Sequence, residues 1–130
     1  MTVFVDTSAL YALLDEGDAH HPDASDVLRR LVGSELVTHH FVVVEATALV
    51  GRRLPWKASE RLLDGILPVI DVAPVGADLF ASAVATYRRS ASSRVSLVDR
   101  TSFAYMESRG IRRAFAYDED FASEGFELEV

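Results

Sequence analysis

Residues 2 to 11 read Thr2-Val3-Phe4-Val5-Asp6-Thr7-Ser8-Ala9-Leu10-Tyr11, and this stretch decides how the rest of the chain is read. Val3, Phe4 and Val5 have the β-branched and aromatic character of a buried strand. Asp6 follows at once, a carboxylate that strands disfavour and cores reject unless it is paired. Asp6, Thr7 and Ser8 then supply helix-capping chemistry ahead of Ala9, Leu10, Ala12, Leu13 and Leu14. The chain therefore turns from strand to helix at Asp6.

Strands and helices alternate from there. Apolar positions Ala24, Val27, Leu28, Leu31 and Val32 give helical spacing from Pro22 to Val32, with Gly33 as a stop. Residues 35 to 39 read as a strand, and Phe41 to Arg53 as a helix. A further helix starts at Pro55 and is expected to bury Trp56, Leu62, Leu63, Ile66 and Leu67 before Pro68 closes it. Val69 to Val75 reads as a strand. Asp78 reads as a helix cap ahead of Leu79, Phe80, Ala83, Val84 and Tyr87. A helix from Leu97 to Ser108 is ended by Gly110, and two last strands fall at Ala114 to Tyr117 and in the terminal FELEV. Such alternation predicts a single α/β domain over residues 1–130, with helices on both faces of a mainly parallel five-stranded sheet.

Composition narrows the function. The 130 residues include no cysteine and are about half apolar, and no apolar run approaches the roughly 20 residues that span a bilayer. The expectation is a cytoplasmic protein that does not enter membranes. A formal charge of -7 argues against a general basic surface for nucleic acid. However, 12 of the 13 basic residues are arginine, grouped at Arg29 and Arg30, Arg52 and Arg53, Arg88 and Arg89, and Arg112 and Arg113. Such forks can serve individual phosphates, or can simply pair with surface acids.

In an open parallel sheet, the carboxyl ends of the strands face a common crevice. Asp6 ends the first strand, and Asp118 ends the fourth, with Asp120 two residues beyond. Glu45 lies mid-helix among Phe41, Val42, Ala48 and Leu49, which turns it towards the protein body. Asp99 sits near the start of its helix beside Leu97, Val98 and Phe103. Each has an ordinary alternative: a cap for Asp6, a capping box with Ser96 for Asp99, turn chemistry for Asp118 and Asp120, an arginine partner for Glu45. Together they deliver acids from four elements to one region with no base beside Asp6. Such carboxylates would take up protons unless a divalent cation held them. The all-oxygen donor set favours Mg²⁺ or Mn²⁺ over Zn²⁺, and the implied chemistry is hydrolysis of a nucleic-acid backbone. His39 and His40 read either as caps or surface polar residues, or as RNA contacts.

The segments VFVDTSALYALL, FVVVEATALVGRRL, SLVDRTSFAYMESRG and AFAYDEDF resemble those of PIN-domain proteins, and more narrowly the toxins of VapC-type toxin–antitoxin pairs. The resemblance covers essentially the whole chain. It implies a three-layer α/β/α sandwich, a Mg²⁺- or Mn²⁺-dependent endoribonuclease acting on RNA, a homodimer, and inhibition by a cognate antitoxin protein. Carried over by position, the acidic set is Asp6, Glu45, Asp99 and Asp118, with Asp120 as an accessory metal ligand. Ala116 departs from the Thr or Ser that many relatives place before the strand-end Asp. The antitoxin is expected on an apolar groove between residues 8–14 and 41–67, drawing on Leu13, Leu14, Val50, Leu54, Trp56 and Leu63.

Two other aspartate-rich classes fit poorly. A phosphoacceptor receiver needs a lysine near its last strands, and the only lysine, Lys57, is central. A haloacid-dehalogenase-like phosphatase needs an Asp two residues after Asp6, where Ser8 stands. A PIN-like module that only binds RNA or protein is the non-enzymatic alternative.

Overall fold

In the computed structural model, which describes residues 1–130, β1 (Thr2–Val5) runs through the middle of the molecule, with Val3, Phe4 and Val5 all buried. The elements that follow are α1 (Thr7–Leu14), α2 (His21–Arg30), β2 (Glu35–His39), α3 (His40–Arg53) and α4 (Trp56–Arg61). After a π-helical turn at Leu62–Ile66 and a 3₁₀ turn at Leu67–Val69 come β3 (Asp71–Ala73), α5 (Ala77–Ser90), α6 (Leu97–Arg109), β4 (Arg113–Phe115), α7 (Asp120–Ser123) and β5 (Glu127–Leu128). The sheet order is β3-β2-β1-β4-β5, and every pairing is parallel.

Right-handed crossovers dictate the layers. The chain steps from β1 to β2 to β3 in one direction, then crosses back to β4 and β5. Keeping the same hand in both directions puts α1–α4 on one face and α5–α7 on the other. The direction reverses between β1 and β4, so the crevice lies at the carboxyl ends of those strands. Asp6 and Asp118 are the residues that leave those ends.

The core is a single apolar cluster that includes Phe4, Leu10, Val27, Val37, Leu62, Met106, Phe115 and Phe121. Phe4 is fully buried and meets the rings of His39, Tyr105 and Phe121 at centroid distances of 5.6, 6.0 and 6.1 Å. Burying one such side chain stabilises the fold by about 1.5–3 kcal/mol.

Several boundaries differ from the sequence reading. Trp56 and Leu63 are exposed, at 69% and 42%, although both were expected in the core. Ala58, Ser59 and Leu62 form the inner face of this segment, and Trp56 and Leu63, seven residues apart, share its outer face. Pro68 does not stop a helix but lies within the 3₁₀ turn. The strand expected from Val69 to Val75 shrinks to Asp71–Ala73, because the Ile70 amide still donates to the Leu67 carbonyl. Gly76, not Asp78, occupies the N-cap of α5, and Asp78 sits in its first turn. Gly110 closes α6 in the left-handed region at φ 66°, as expected.

Candidate active site

Asp6 is the N-cap of α1, and its Oδ2 accepts hydrogen bonds from the Ser8 amide at 3.2 Å and the Ser8 hydroxyl at 2.6 Å. The Asp6 amide donates to the Phe115 carbonyl at 3.0 Å, extending the β1–β4 ladder by one step. Ser8 Oγ in turn accepts from the Tyr117 amide at 2.9 Å. A chain of bonds thus runs from the end of β4 through Ser8 to the Asp6 carboxylate. The second oxygen, Oδ1, is buried and has no protein partner. Capping accounts for half of this carboxylate and leaves the other half unexplained.

The other acids come from three directions. Asp6, Glu45, Asp99 and Asp118 line one cleft of about 550 Å³, together with Ser8 and Ser96. Asp99 lies in the first turn of α6, where Ser96 Oγ accepts from the Asp99 amide at 3.0 Å, one half of the expected capping box, and Asp99 lines the cleft. Asp118 Oδ1 accepts from the Asp120 amide at 2.9 Å, a turn that aims Asp118 without help from position 116. Glu45 is half-buried on α3.

Asp120 behaves differently from the other four. One carboxylate oxygen each from Asp99, Asp118 and Asp120 falls within 4.8 Å of the others. Asp120 does not line the cleft with Asp6 and Glu45, and it pairs with Arg94 at 3.5 Å. The acids therefore form a tight trio, with Asp6 and Glu45 on the adjoining wall.

Charge accumulates as this geometry requires. Burial pushes the Asp6 carboxyl up to about 6, with Ser8 hydrogen bonding opposing the rise and the Glu45 charge adding to it. Burial likewise pushes Asp99 up to about 7, reinforced by the charges of Asp6, Asp118 and Glu45. Two carboxyls held near neutrality are poised either to keep protons or to exchange them for a cation. The residues present fit a divalent metal. The donors are all oxygens, the trio spans a metal-sized gap, and Asp6 Oδ1 has an open acceptor site.

His39, read above as a cap or an RNA contact, is a cap. It is fully buried, and its Nδ1 accepts from the Phe41 and Val42 amides at 3.2 and 3.4 Å. Nδ1 must then be the unprotonated nitrogen, so Nε2 donates to Ser102 Oγ at 2.9 Å, and Ser102 donates to the Val98 carbonyl at 3.1 Å. This buried bridge ties the start of α3, which carries Glu45, to α6, which carries Asp99. Sequence reasoning missed it, because nothing local to position 39 announces a partner at position 102. Arg52, also missed as a site residue, lines the same cleft.

A parallel five-stranded sheet with acids gathered at its central carboxyl ends is the arrangement of a PIN domain, and the PIN domain family model matches residues 3–126. The chain belongs to the PIN domain family. It is 37% identical over 128 residues to the 23S rRNA-specific endonuclease VapC20 of Mycobacterium tuberculosis, with 95% of each chain covered. The crystal structure of that VapC20, described as a Sarcin-Ricin loop cleaving toxin, superposes with a TM-score of 0.84 at 36% identity, covering 98% of both chains. The fold alone is shared with VapBC2 from Rickettsia felis (TM-score 0.72, 13% identity, 98% and 97% covered) and FitAcB from Neisseria gonorrhoeae (0.68, 18%, 98% and 96%).

Proposed function

We propose that this protein is a metal-dependent endoribonuclease toxin that hydrolyses RNA phosphodiester bonds and is neutralised by a cognate antitoxin. The observation that carries this reading is the half-satisfied Asp6 carboxylate, buried in one cleft with Glu45, Asp99 and Asp118 in a chain of the PIN family. The activity printed for the Mycobacterium tuberculosis relative makes the sarcin–ricin loop of 23S rRNA the first substrate to try.

Asp6, Asp99 and Asp118 would hold Mg²⁺ or Mn²⁺, with Asp120 completing the oxygen set on the Arg94 side. The ion, when bound, supplies Lewis acidity at a phosphodiester oxygen and makes water a stronger acid. Ser8 holds Asp6 in one orientation. Glu45, on the wall adjoining the trio, would accept a proton from the attacking water. Burial of Asp6 shields that carboxylate from bulk water, which strengthens its charge interactions.

The antitoxin surface differs from the one expected from sequence. Leu13, Leu14 and Val50 are core residues at 6%, 4% and 0% exposure, whereas Trp56 and Leu63 stand out on α4 and the π turn. Trp56 therefore anchors the antitoxin, next to the hollow lined by Leu54, Pro55 and Ala58. An antitoxin arginine entering the acidic cleft would compete with metal, so added Mg²⁺ weakens the complex. A second copy of the chain, giving a homodimer in the cytoplasm, covers the apolar hollow between Phe41, Val44, Phe80 and Val98.

Induced expression of wild type beside Asp6→Asn, scored by growth and by the 5′ ends of cellular RNA, tests the reading. Growth arrest and new RNA ends with the wild type alone are expected. Equal behaviour of the two strains would favour a binding-only module.

A further inference from the structure

The acidic cleft poses a difficulty for its own substrate. Four carboxylates face a ligand that is itself a polyanion, and a net charge of -7 offers no general attraction to compensate. Arg52 is the only cation on the cleft wall. Its position follows from helix geometry: Glu45, Ala48, Leu49 and Arg52 fall at i, i+3, i+4 and i+7 on α3 and form one stripe along the cleft. Two turns separate Glu45 from Arg52, about 10.5 Å along the axis, which is beyond the spacing of a helical ion pair.

Arg52 is also unengaged. It is exposed, and no carboxylate lies within ion-pair distance of it, unlike Arg29, Arg30, Arg94, Arg100 and Arg113. Its neighbour Arg53 stacks over the Tyr11 ring at 5.7 Å. Arg94, the other arginine close to the acids, is committed to Asp120. A cation in the last turn of α3 is favoured by the helix dipole, and this accounts for Arg53 as well as Arg52. The dipole does not account for an arginine without an ion-pair partner on the wall of an acid-lined cleft.

We infer that Arg52 grips a backbone phosphate of the RNA, the one neighbouring the phosphodiester cut between the acids. The inference rests on the ribonuclease reading and adds its substrate anchor. The planar fork binds phosphate oxygens in pairs, while small Ala48 leaves the path from Glu45 to Arg52 open.

The test compares wild type, Arg52→Ala, Arg52→Lys and Arg53→Ala on a sarcin–ricin hairpin RNA in Mn²⁺, across roughly 50–300 mM KCl. Arg52→Ala should raise KM about tenfold with kcat within about threefold, and flatten the log–log salt dependence of kcat/KM by roughly 0.7–0.9. Arg52→Lys should keep the salt slope with an intermediate KM, and Arg53→Ala should match wild type. An unchanged KM and slope in Arg52→Ala, or an equal loss in Arg53→Ala, overturns the inference while the nuclease reading stands. Should wild type bind the hairpin without cutting it, the nuclease reading falls alone. Fluorescence anisotropy then decides Arg52, with about tenfold weaker binding by Arg52→Ala supporting it and equal binding overturning it.

Discussion

Asp6 shows how one side chain can serve two purposes. As a cap it accepts from Ser8, and Asn would cap equally well. As a charge it is buried beside other acids, and Asn would relieve that cost. Asp6→Asn should therefore lose cleavage by on the order of 100-fold or more, while its melting temperature in EDTA matches or exceeds wild type. A variant that cuts RNA normally would remove Asp6 from the site. For Asp99 the sign of the pH effect follows from its raised value, about 7 against an ordinary 3.8. The folded state holds the proton more tightly than the unfolded one, so the stabilisation is complete below the unfolded value and fades as pH rises through about 7. In metal-free buffer, Asp99→Asn should gain melting temperature relative to wild type between about pH 5 and about pH 8. A difference that stays flat with pH would contradict the crowding of acids around Asp99.

At the scale of elements, the bridge from His39 to Ser102 holds α3 and α6 at a fixed separation. Ser102→Ala leaves the buried Nε2 proton of His39 without an acceptor, which costs about 1–3 kcal/mol in chemical denaturation. An unchanged midpoint would mean that the bridge carries no load. His39 itself is pressed by burial, and next by the charge of His40, down to about 4 from an ordinary 6.5. Its contribution to stability is therefore present above about 6.5 and is lost as pH falls towards 4, opposite in direction to that of Asp99. The end of α5 offers a simpler test. Ala91 adopts the left-handed conformation at φ 50°, so Ala91→Gly should stabilise the protein by about 0.5–1 kcal/mol, read from the urea midpoint.

Local patterns revealed most of these elements, and the exceptions share a cause. β1, α3 and α6 carry strong apolar patterns with caps or stops written beside them. The segment after Pro55 failed because it carries large apolar residues on both faces, and the outer pair, Trp56 and Leu63, cannot be told from core by residue type alone. Asp6, Glu45, Asp99 and Asp118 were legible because an acid at a strand end or on an apolar helix face breaks a local rule. Arg52 breaks none, and its meaning lies in what it faces. The pairing of Asp120 with Arg94 depends on how the loop before α6 folds, which no spacing records.

For the molecule as a whole, a metal ion bound in the cleft would compete with protons for the same carboxyls. Mn²⁺ at 100 times its dissociation constant should raise stability by about 2.7 kcal/mol. The rise in melting temperature should be larger at about pH 8 than at about pH 5, where Asp6 and Asp99 retain protons. Equal shifts at both pH values, or none, would show that the ion does not bind through these acids.

The central place of β1 has a consequence for synthesis. Its two neighbours are β2 and β4, and the latter is formed by Arg113–Phe115, near the far end of the chain. A nascent polypeptide therefore has one edge of its first strand unpaired until Arg113–Phe115 is available, and Asp118 follows directly after that. The cleft at the sheet's carboxyl ends is thus completed by residues made last.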